Sequence, residues 1–333
     1  MPFSQVRTGE ETSGRDLLLW VPPGRPWGWN PRIQTFYLVG NPTSLMLISF
    51  GNHAQFGNHY LAAAHRVAHA LSNDYSLHLF ELSQARDYLD AANLPEQIRV
   101  GGPFLQQIAG MTDQLVRRCT RKKDFHLGFV SIHFDRHGRD YLDGKTISDL
   151  AKKQVVIHQG WSFRDKEALK AQVDRVRQIL EFKEVYRAAA KERFDRARGR
   201  SKFVIGVHVR RGDYEKFCGG RYFFKDDEYL RIASEAVAAQ KFDPTEVVVI
   251  GFSNENLDWP DKCGGARVVT GQGRWWEDFL CLSLCDLIIG PPSTFSGSAS
   301  FARNVRWFQI TDRDAPFNPS EALPCLESGI RVE

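Results

Sequence analysis

The stretch Phe203-Val204-Ile205-Gly206-Val207-His208-Val209-Arg210-Arg211-Gly212-Asp213-Tyr214 is the point from which the fold can be read. Residues 203–209 are an apolar run of strand length, which predicts a buried strand. It ends in a histidine, two arginines, a glycine and an aspartate. Downstream the pattern is regular. A helix is expected over 227–240, with aspartates at its start, and a strand over 246–252. A short strand over 267–270, a helix over 275–285 and a strand over 287–290 follow. A helix over 294–303 and a strand over 305–310 complete the series. Strands alternating with helices of this length predict a parallel, doubly wound sheet, whose ligand lies at the carboxyl ends of the strands.

Upstream, Ser44-Leu45-Met46-Leu47-Ile48-Ser49-Phe50 is a second buried-strand signal, bounded by Gly51. A loop rich in Gly, Asn and His leads to an alanine-rich helix over 60–71, the opening of an α/β unit. Further strands are expected at 76–80 and 155–157. Residues 165–198 read as one continuous helix, with Leu169, Val173, Val176, Leu180 and Val185 near helical spacing. Its end is basic: 187–202 carries seven Lys/Arg against two acids, read as a solvated helix end, and Gly199 supplies a stop. Pro22-Pro23-Gly24-Arg25-Pro26-Trp27-Gly28-Trp29 reads as a packed, irregular arm. The expected organisation is two α/β lobes, 1–200 and 201–333, facing across a cleft.

The 333 residues are 42% hydrophobic and 25% charged, which excludes collagen, coiled coil and a disordered tail protein. Lys+Arg 44 against Asp+Glu 40 gives a net charge of +4. That balance is too weak to imply nucleic acid. It is compatible with anionic small substrates or peripheral contact with a membrane surface. None of the six cysteines forms a C-x-x-C pair, which excludes a zinc ribbon or thioredoxin motif. Cys281 and Cys285 read as buried thiols on one helix face. These features predict a reducing, cytoplasmic setting. With no apolar run of roughly 18 residues and no h-region, neither a membrane span nor a signal peptide is expected.

Three clusters carry chemistry. The first is His208-Val209-Arg210-Arg211-Gly212-Asp213. Arginine presents a planar fork that matches phosphate oxygens and stays charged. The competing reading is a salt-bridged corner that caps the strand. The second is Gly290-Pro291-Pro292-Ser293-Thr294-Phe295-Ser296. Here a strand ends and Ser293 or Thr294 can cap a helix whose free N–H groups favour an anion. The third is Gly51-Asn52-His53-Ala54-Gln55-Phe56-Gly57-Asn58-His59. Its glycines permit close backbone approach to phosphate, but it lacks the Gly-Lys-Ser/Thr of a Walker loop.

In this order the clusters resemble the inverting fucosyltransferases of the α1,2 type and their α1,6- and protein O-fucosyltransferase relatives. The family's His-x-Arg-Arg-Gly-Asp motif is matched in full by His208, Arg210, Arg211, Gly212 and Asp213. Its Gly-Asn loop resembles Phe56-Gly57-Asn58-His59-Tyr60-Leu61-Ala62, and its late motifs resemble Phe252-Ser253-Asn254-Glu255 and Ser293-Thr294-Phe295-Ser296. There are departures. His59 stands where the family has Gln, Asn254-Glu255 where it often has two acids, and Gly297-Ser298 where it often has a Trp pair.

The resemblance implies a GT-B architecture. It further implies transfer of L-fucose from GDP-fucose to a hydroxyl of a glycan or glycoconjugate, with inversion and without metal, the donor being a co-substrate and no further cofactor being needed. Donor-binding residues would be Gly57, Asn58, His208, Arg210, Arg211, Ser253, Asn254, Asp278, Ser293, Thr294, Phe295 and Ser296. Arg210 would stabilise the leaving diphosphate, with Arg211 holding the loop or the second phosphate. Asp213, His53 and His59 are candidates for the base. Lobe 201–333 would take the donor and lobe 1–200 the acceptor. The rival readings are a nucleotide-sugar or glycan-binding protein without turnover, and a transferase using another nucleotide sugar. Asp312-Arg313-Asp314 spells a metal-binding Asp-x-Asp but reads as a solvated turn. His65 and His69, four residues apart on a helix, read as packing histidines.

Overall fold

In this computed structural model, residues 46–50, 55–101, 125–127, 130–134, 155–160 and 163–331 are described. Among them, two six-stranded sheets form. The first contains β1 (Met46–Phe50), β2 (Ser76–Leu79), β3 (Ile98–Val100), β4 (Phe125–Leu127), β5 (Val130–Phe134) and β6 (Val155–Gln159), in the order β3-β2-β1-β6-β5-β4. All neighbours are parallel except β4, which runs antiparallel to β5 at the edge. Helix α1 (Phe56–Asn73) connects β1 to β2 and starts earlier than the alanine pattern suggests. It ends at Asp74, whose left-handed φ of 48° closes the last turn through a bond from its N–H to Ala70 O.

The expected single helix over 165–198 is three helices: α2 (Lys166–Ala171), α3 (Val173–Ile179) and α4 (Glu184–Arg198). The long break has a tertiary cause. Phe182 forms an antiparallel bridge with Leu89. Asp90 N–H donates to Glu181 O, and Lys183 N–H donates to Tyr88 O. The helical periodicity was genuine locally, but backbone pairing with 88–90 and burial of Phe182 to 2% exposure outweigh propensities of a few tenths of a kcal/mol per residue.

The second sheet contains β7 (Phe203–His208), β8 (Val247–Phe252), β9 (Lys262–Cys263), β10 (Ala266–Thr270), β11 (Leu287–Gly290) and β12 (Arg306–Gln309), ordered β12-β11-β7-β8-β10-β9. It is parallel apart from the short edge strand β9. Its helices are α5 (Asp226–Ala238), α6 (Trp275–Ser283), α7 (Thr294–Arg303) and the single-turn α8 (Cys325–Ser328). The aspartates of α5 occupy its first turn rather than its cap. Lys225 is the cap residue, and its N–H donates to Glu228 Oε2 at 2.6 Å.

Alternation along the strands divides the core. Ile205, Val207, Val247, Val249, Leu287 and Ile289 face α5 and its Tyr229, Ile232 and Ala236. Val204, Val248, Ile250, Phe252 and Ile288 face the opposite way. They join one continuous core with Leu47, Leu77 and Val156 of the first sheet and with α1, α4, α6 and α7. Both faces of the central strands are therefore covered, which is why they read as unbroken apolar runs.

Candidate active site

In the second sheet the chain runs from β7 through β8 to β10 on one side, then places β11 and β12 on the other side of β7. The direction of winding reverses between β7 and β11, so the loops leaving their carboxyl ends diverge and leave a crevice. One loop carries Arg210 to Tyr214 and the other carries Pro291 to Ser293. The start of α1 faces them. A cleft of about 1460 Å³ opens here, lined by Gln55, Asn58, Arg210, Asp213, Tyr214 and Ser293–Phe295 among others.

Arg210 lies at the centre. Its Nη2 donates to Gln55 Oε1 at 2.7 Å and is 2.7 Å from Asp213 Oδ1. Its guanidinium stands 5.3 Å from the Tyr214 ring centroid, and its buried Nε has no hydrogen-bond partner. The backbone N–H of Arg210 donates to Tyr229 OH. Arg211 turns the other way. It donates to Phe224 O and, at 2.6 Å, to Asp226 Oδ1, and thereby ties the loop to the head of α5. Gly212 has φ 63°, a left-handed turn that separates the two arginines from the loop beyond. Tyr214 OH donates to Pro292 O at 2.5 Å and so joins the two loops. Burial raises the Tyr214 pKa to about 12, which keeps that proton in place.

His208 is buried. Its Nδ1 shares a 2.7 Å hydrogen bond with Ser296 Oγ, and its ring lies 5.1 Å from Phe295. Burial, with the Arg210 charge added, lowers its pKa to about 3, so it is a neutral positioning group. Ser293 caps α7 by accepting from Phe295 N–H. Tight packing brings α1 against this helix start. A Cβ on Gly57 would come within 2.6 Å of Phe295 N and the carbonyl carbon of Thr294, and Ser298 Oγ donates to Gly57 O at 2.9 Å. The cleft therefore collects a guanidinium and the beginnings of two helices, an arrangement suited to an oligophosphate.

The sequence profile of glycosyl transferase family 11 matches residues 120–319, more than half of the chain. The chain belongs to glycosyl transferase family 11. Over 117 residues it is 32% identical to galactoside alpha-(1,2)-fucosyltransferase 1 of Leontopithecus chrysomelas, and equally to that of Homo sapiens. The match covers 33% of this chain and 31% of each relative, so the chain spans about a third of the length of these relatives. Two solved structures share the fold. A mutant of Arabidopsis thaliana FUT1 in complex with GDP has a TM-score of 0.53 at 12% identity, over 84% of this chain and 74% of that one. POFUT1 in complex with GDP-fucose has a TM-score of 0.51 at 11% identity, over 80% and 96%. The two-lobed architecture of this family 11 chain is GT-B.

Other family-type positions fall in different surroundings. His59 was expected in a cleft-facing loop. It lies instead in the first turn of α1 and is buried, outside the lining of the cleft. Helical spacing explains the difference, since Gly57, Asn58, Leu61, His65 and His69 share the side that borders the cleft. Asp278, expected among the donor-binding residues, does not line the cleft. It is buried within α6, and its Oδ1 accepts from Arg193 Nη1 at 2.6 Å. Desolvation raises its pKa and Arg193 opposes the shift. Ser253 Oγ accepts from Glu255 N–H at the end of β8, and Asn254 is exposed beside it.

His65 and His69 are packing groups. His65 Nδ1 meets the Asp165 backbone, and His69 Nδ1 lies 2.6 Å from Asp165 Oδ2, whose Oδ1 caps α2. Asp312 Oδ1 accepts from Asp314 N–H in an exposed turn. Among the described residues no cluster of three or more His, Cys, Asp or Glu is arranged to hold a metal ion, and no helix is long and apolar enough to cross a membrane. Five described cysteines are unpaired, four of them buried. Cys285 Sγ lies 3.4 Å from Cys281 O, just beyond the end of α6. The first 45 residues, His53, Cys119 and the 117–123 basic stretch lie outside the described residues. Gln55 and the Tyr214 hydroxyl were missed by the motif reading. Their only signal was adjacency, Gln55 before a helix start and Tyr214 after the aspartate of the motif.

Proposed function

We propose that this chain transfers L-fucose from GDP-fucose to a hydroxyl of a glycan or glycoconjugate, with inversion and without a metal ion. The observation that carries this reading is the Arg210 guanidinium at the β7/β11 crevice, next to the start of α7. The acceptor oxygen attacks the anomeric carbon as the bond to the β-phosphate oxygen breaks, so negative charge grows on the diphosphate. A fixed guanidinium stabilises that charge more in the transition state than in the ground state. The start of α7 offers further donors for those oxygens. Asp213, whose side chain is 61% exposed beside Arg210, is the candidate to take the acceptor proton.

The donor half is 201–333 and the acceptor half 1–200. In the first sheet the winding also reverses between β1 and β6, where a buried charge network lies at the end of β6. Arg66 Nη1 bonds Glu81 Oε1 at 2.5 Å, and its Nη2 bonds His158 Nδ1 at 2.7 Å and Gly160 O at 2.6 Å. That side is occupied by its own charges, which favours the β7/β11 crevice for the nucleotide. The cleft volume exceeds the roughly 300–1,000 Å³ of a typical single-ligand pocket, which suits two substrates.

The deciding experiment combines a thermal-shift panel of GDP, UDP, CDP and dTDP in chelator with GDP release from GDP-fucose over an acceptor panel. GDP alone should raise Tm, turnover should survive the chelator, and the product should have the opposite anomeric configuration to the donor. Preference for another nucleotide would point to another donor. Binding without turnover would point to a non-catalytic protein, and recovery only with manganese would remove the metal-free mechanism.

A further inference from the structure

We propose that the groove between α4 and β10 is a second anion site, for a phosphate monoester with an apolar body, separate from the β7/β11 crevice. The groove has a volume of about 280 Å³. Three arginines line it, Arg193 and Arg196 from α4 and Arg267 from β10, and no carboxylate does. Its floor is apolar, formed by Phe194, Ile250, Phe252 and Val269.

The basic run of 187–202 is mostly spent on partners elsewhere. Arg187 pairs with Glu181 and Glu184, Lys191 with Asp195, and Lys202 with Glu246. Around the groove the balance differs. Arg267 Nη2 donates to the neutral carbonyls of Ala197 and Arg198, which leaves its Nε and Nη1 free. Arg193 gives Nη1 to Asp278 and Nη2 to Gly271 O, which leaves Nε. Arg196 is exposed and makes no hydrogen bond or ion pair among the described residues. Asp278 already balances the charge of Arg193, so Arg196 and Arg267 are the two positive groups of the groove without a carboxylate partner among the described residues. An anion between them would supply the missing counter-charge. Guanidinium N–H groups on both walls match several oxygens of one dianion better than the two of a carboxylate. The apolar floor gives the rest of such a molecule somewhere to lie, and the volume fits one small ligand.

The groove is set apart from the cleft in the fold. It shares no lining residue with it, and Arg193 of the groove is tied to Asp278 and Gly271 O. Occupancy should therefore be independent of GDP.

The test is calorimetric titration of the full chain with phenyl phosphate in the presence of saturating GDP. One equivalent should bind, with inorganic phosphate, which lacks the apolar body, binding at least about tenfold more weakly. Arg196→Glu should weaken phenyl phosphate at least about tenfold and leave GDP affinity unchanged. Arg196 is exposed and unbonded, so this variant should fold. Arg267→Gln serves as the second variant, and its thermal melt shows whether α4 stays docked. The proposal is overturned if phenyl phosphate does not bind over saturating GDP, if GDP competes with it, or if both variants bind it as the parent does. The two natural sources separate with vesicles. Arg196-dependent sedimentation with phosphatidic-acid vesicles, absent with phosphatidylcholine, supports a lipid headgroup. Phenyl phosphate binding without sedimentation supports a soluble phosphate ester.

Discussion

Arg210 and Arg211 are neighbours in sequence with different work in the structure. Arg211 is used up inside the protein, on Phe224 O and Asp226. Arg210 is half committed and borders the cleft. Arg210→Ala should therefore abolish turnover with an unchanged circular dichroism spectrum, a loss of about 2.7–4 kcal/mol of transition-state stabilisation. Arg210→Lys should not restore it, because an ammonium cannot reproduce the fork. Steady-state kinetics decide, and near-normal kcat in the lysine variant would remove Arg210 from the role. Two buried histidines set a pH dependence. Burial lowers both His65 and His208 to about 3. Between pH 6.5 and 3 the unfolded chain binds protons that the folded chain refuses, so stability falls as pH drops through that window. At pH 5 each should weaken folding by about 2 kcal/mol. Urea unfolding at pH 7 and pH 5 measures this, and His65→Gln with His208→Gln should flatten the dependence.

At the scale of elements, the site depends on how closely α1 meets α7. Gly57 allows that approach, with no room for a Cβ against the Thr294–Phe295 backbone. Gly57→Ala should push the helix starts apart and cost roughly 1–3 kcal/mol of stability, as overpacking does. It should also weaken GDP binding, because Gln55 and the start of α7 move relative to Arg210. Melting temperature and GDP affinity measured together test this. A variant that lost neither would make the contact incidental. The segment between α3 and α4 makes the complementary point. Its helical spacing was legible, but Phe182 is drawn into pairing with Leu89, a partner more than ninety positions away that no local pattern announces.

At the scale of the molecule, one core runs from the first sheet to the second, and α1 is pinned in the first lobe by a buried charge network. Arg66 and Glu81 are fully buried and 2.5 Å apart, with Ser49 Oγ donating to Glu81 Oε1. Removing one partner leaves an uncompensated buried charge, so Arg66→Met should cost about 3–5 kcal/mol. The paired change Arg66→Met with Glu81→Leu should recover much of it. Chemical denaturation of the single and double variants gives the coupling energy, and additive losses would show that the pair is not a unit.

What the amino-acid order determined by itself is what depends on near neighbours. The apolar strand runs, the strand–helix alternation after residue 203, a helix cap at Ser293 or Thr294 and the His-x-Arg-Arg-Gly-Asp motif were legible, because burial period and turn chemistry act over a few residues. What only the tertiary structure decided depends on which distant groups meet. His59 turned inward because the helix began at Phe56. Asp278 found Arg193 across 85 positions, and Gln55 met Arg210 across 155. Hydrogen bonds and ion pairs act over only a few ångströms, so their partners are chosen by the packing of helices on sheets, which a one-dimensional pattern does not specify.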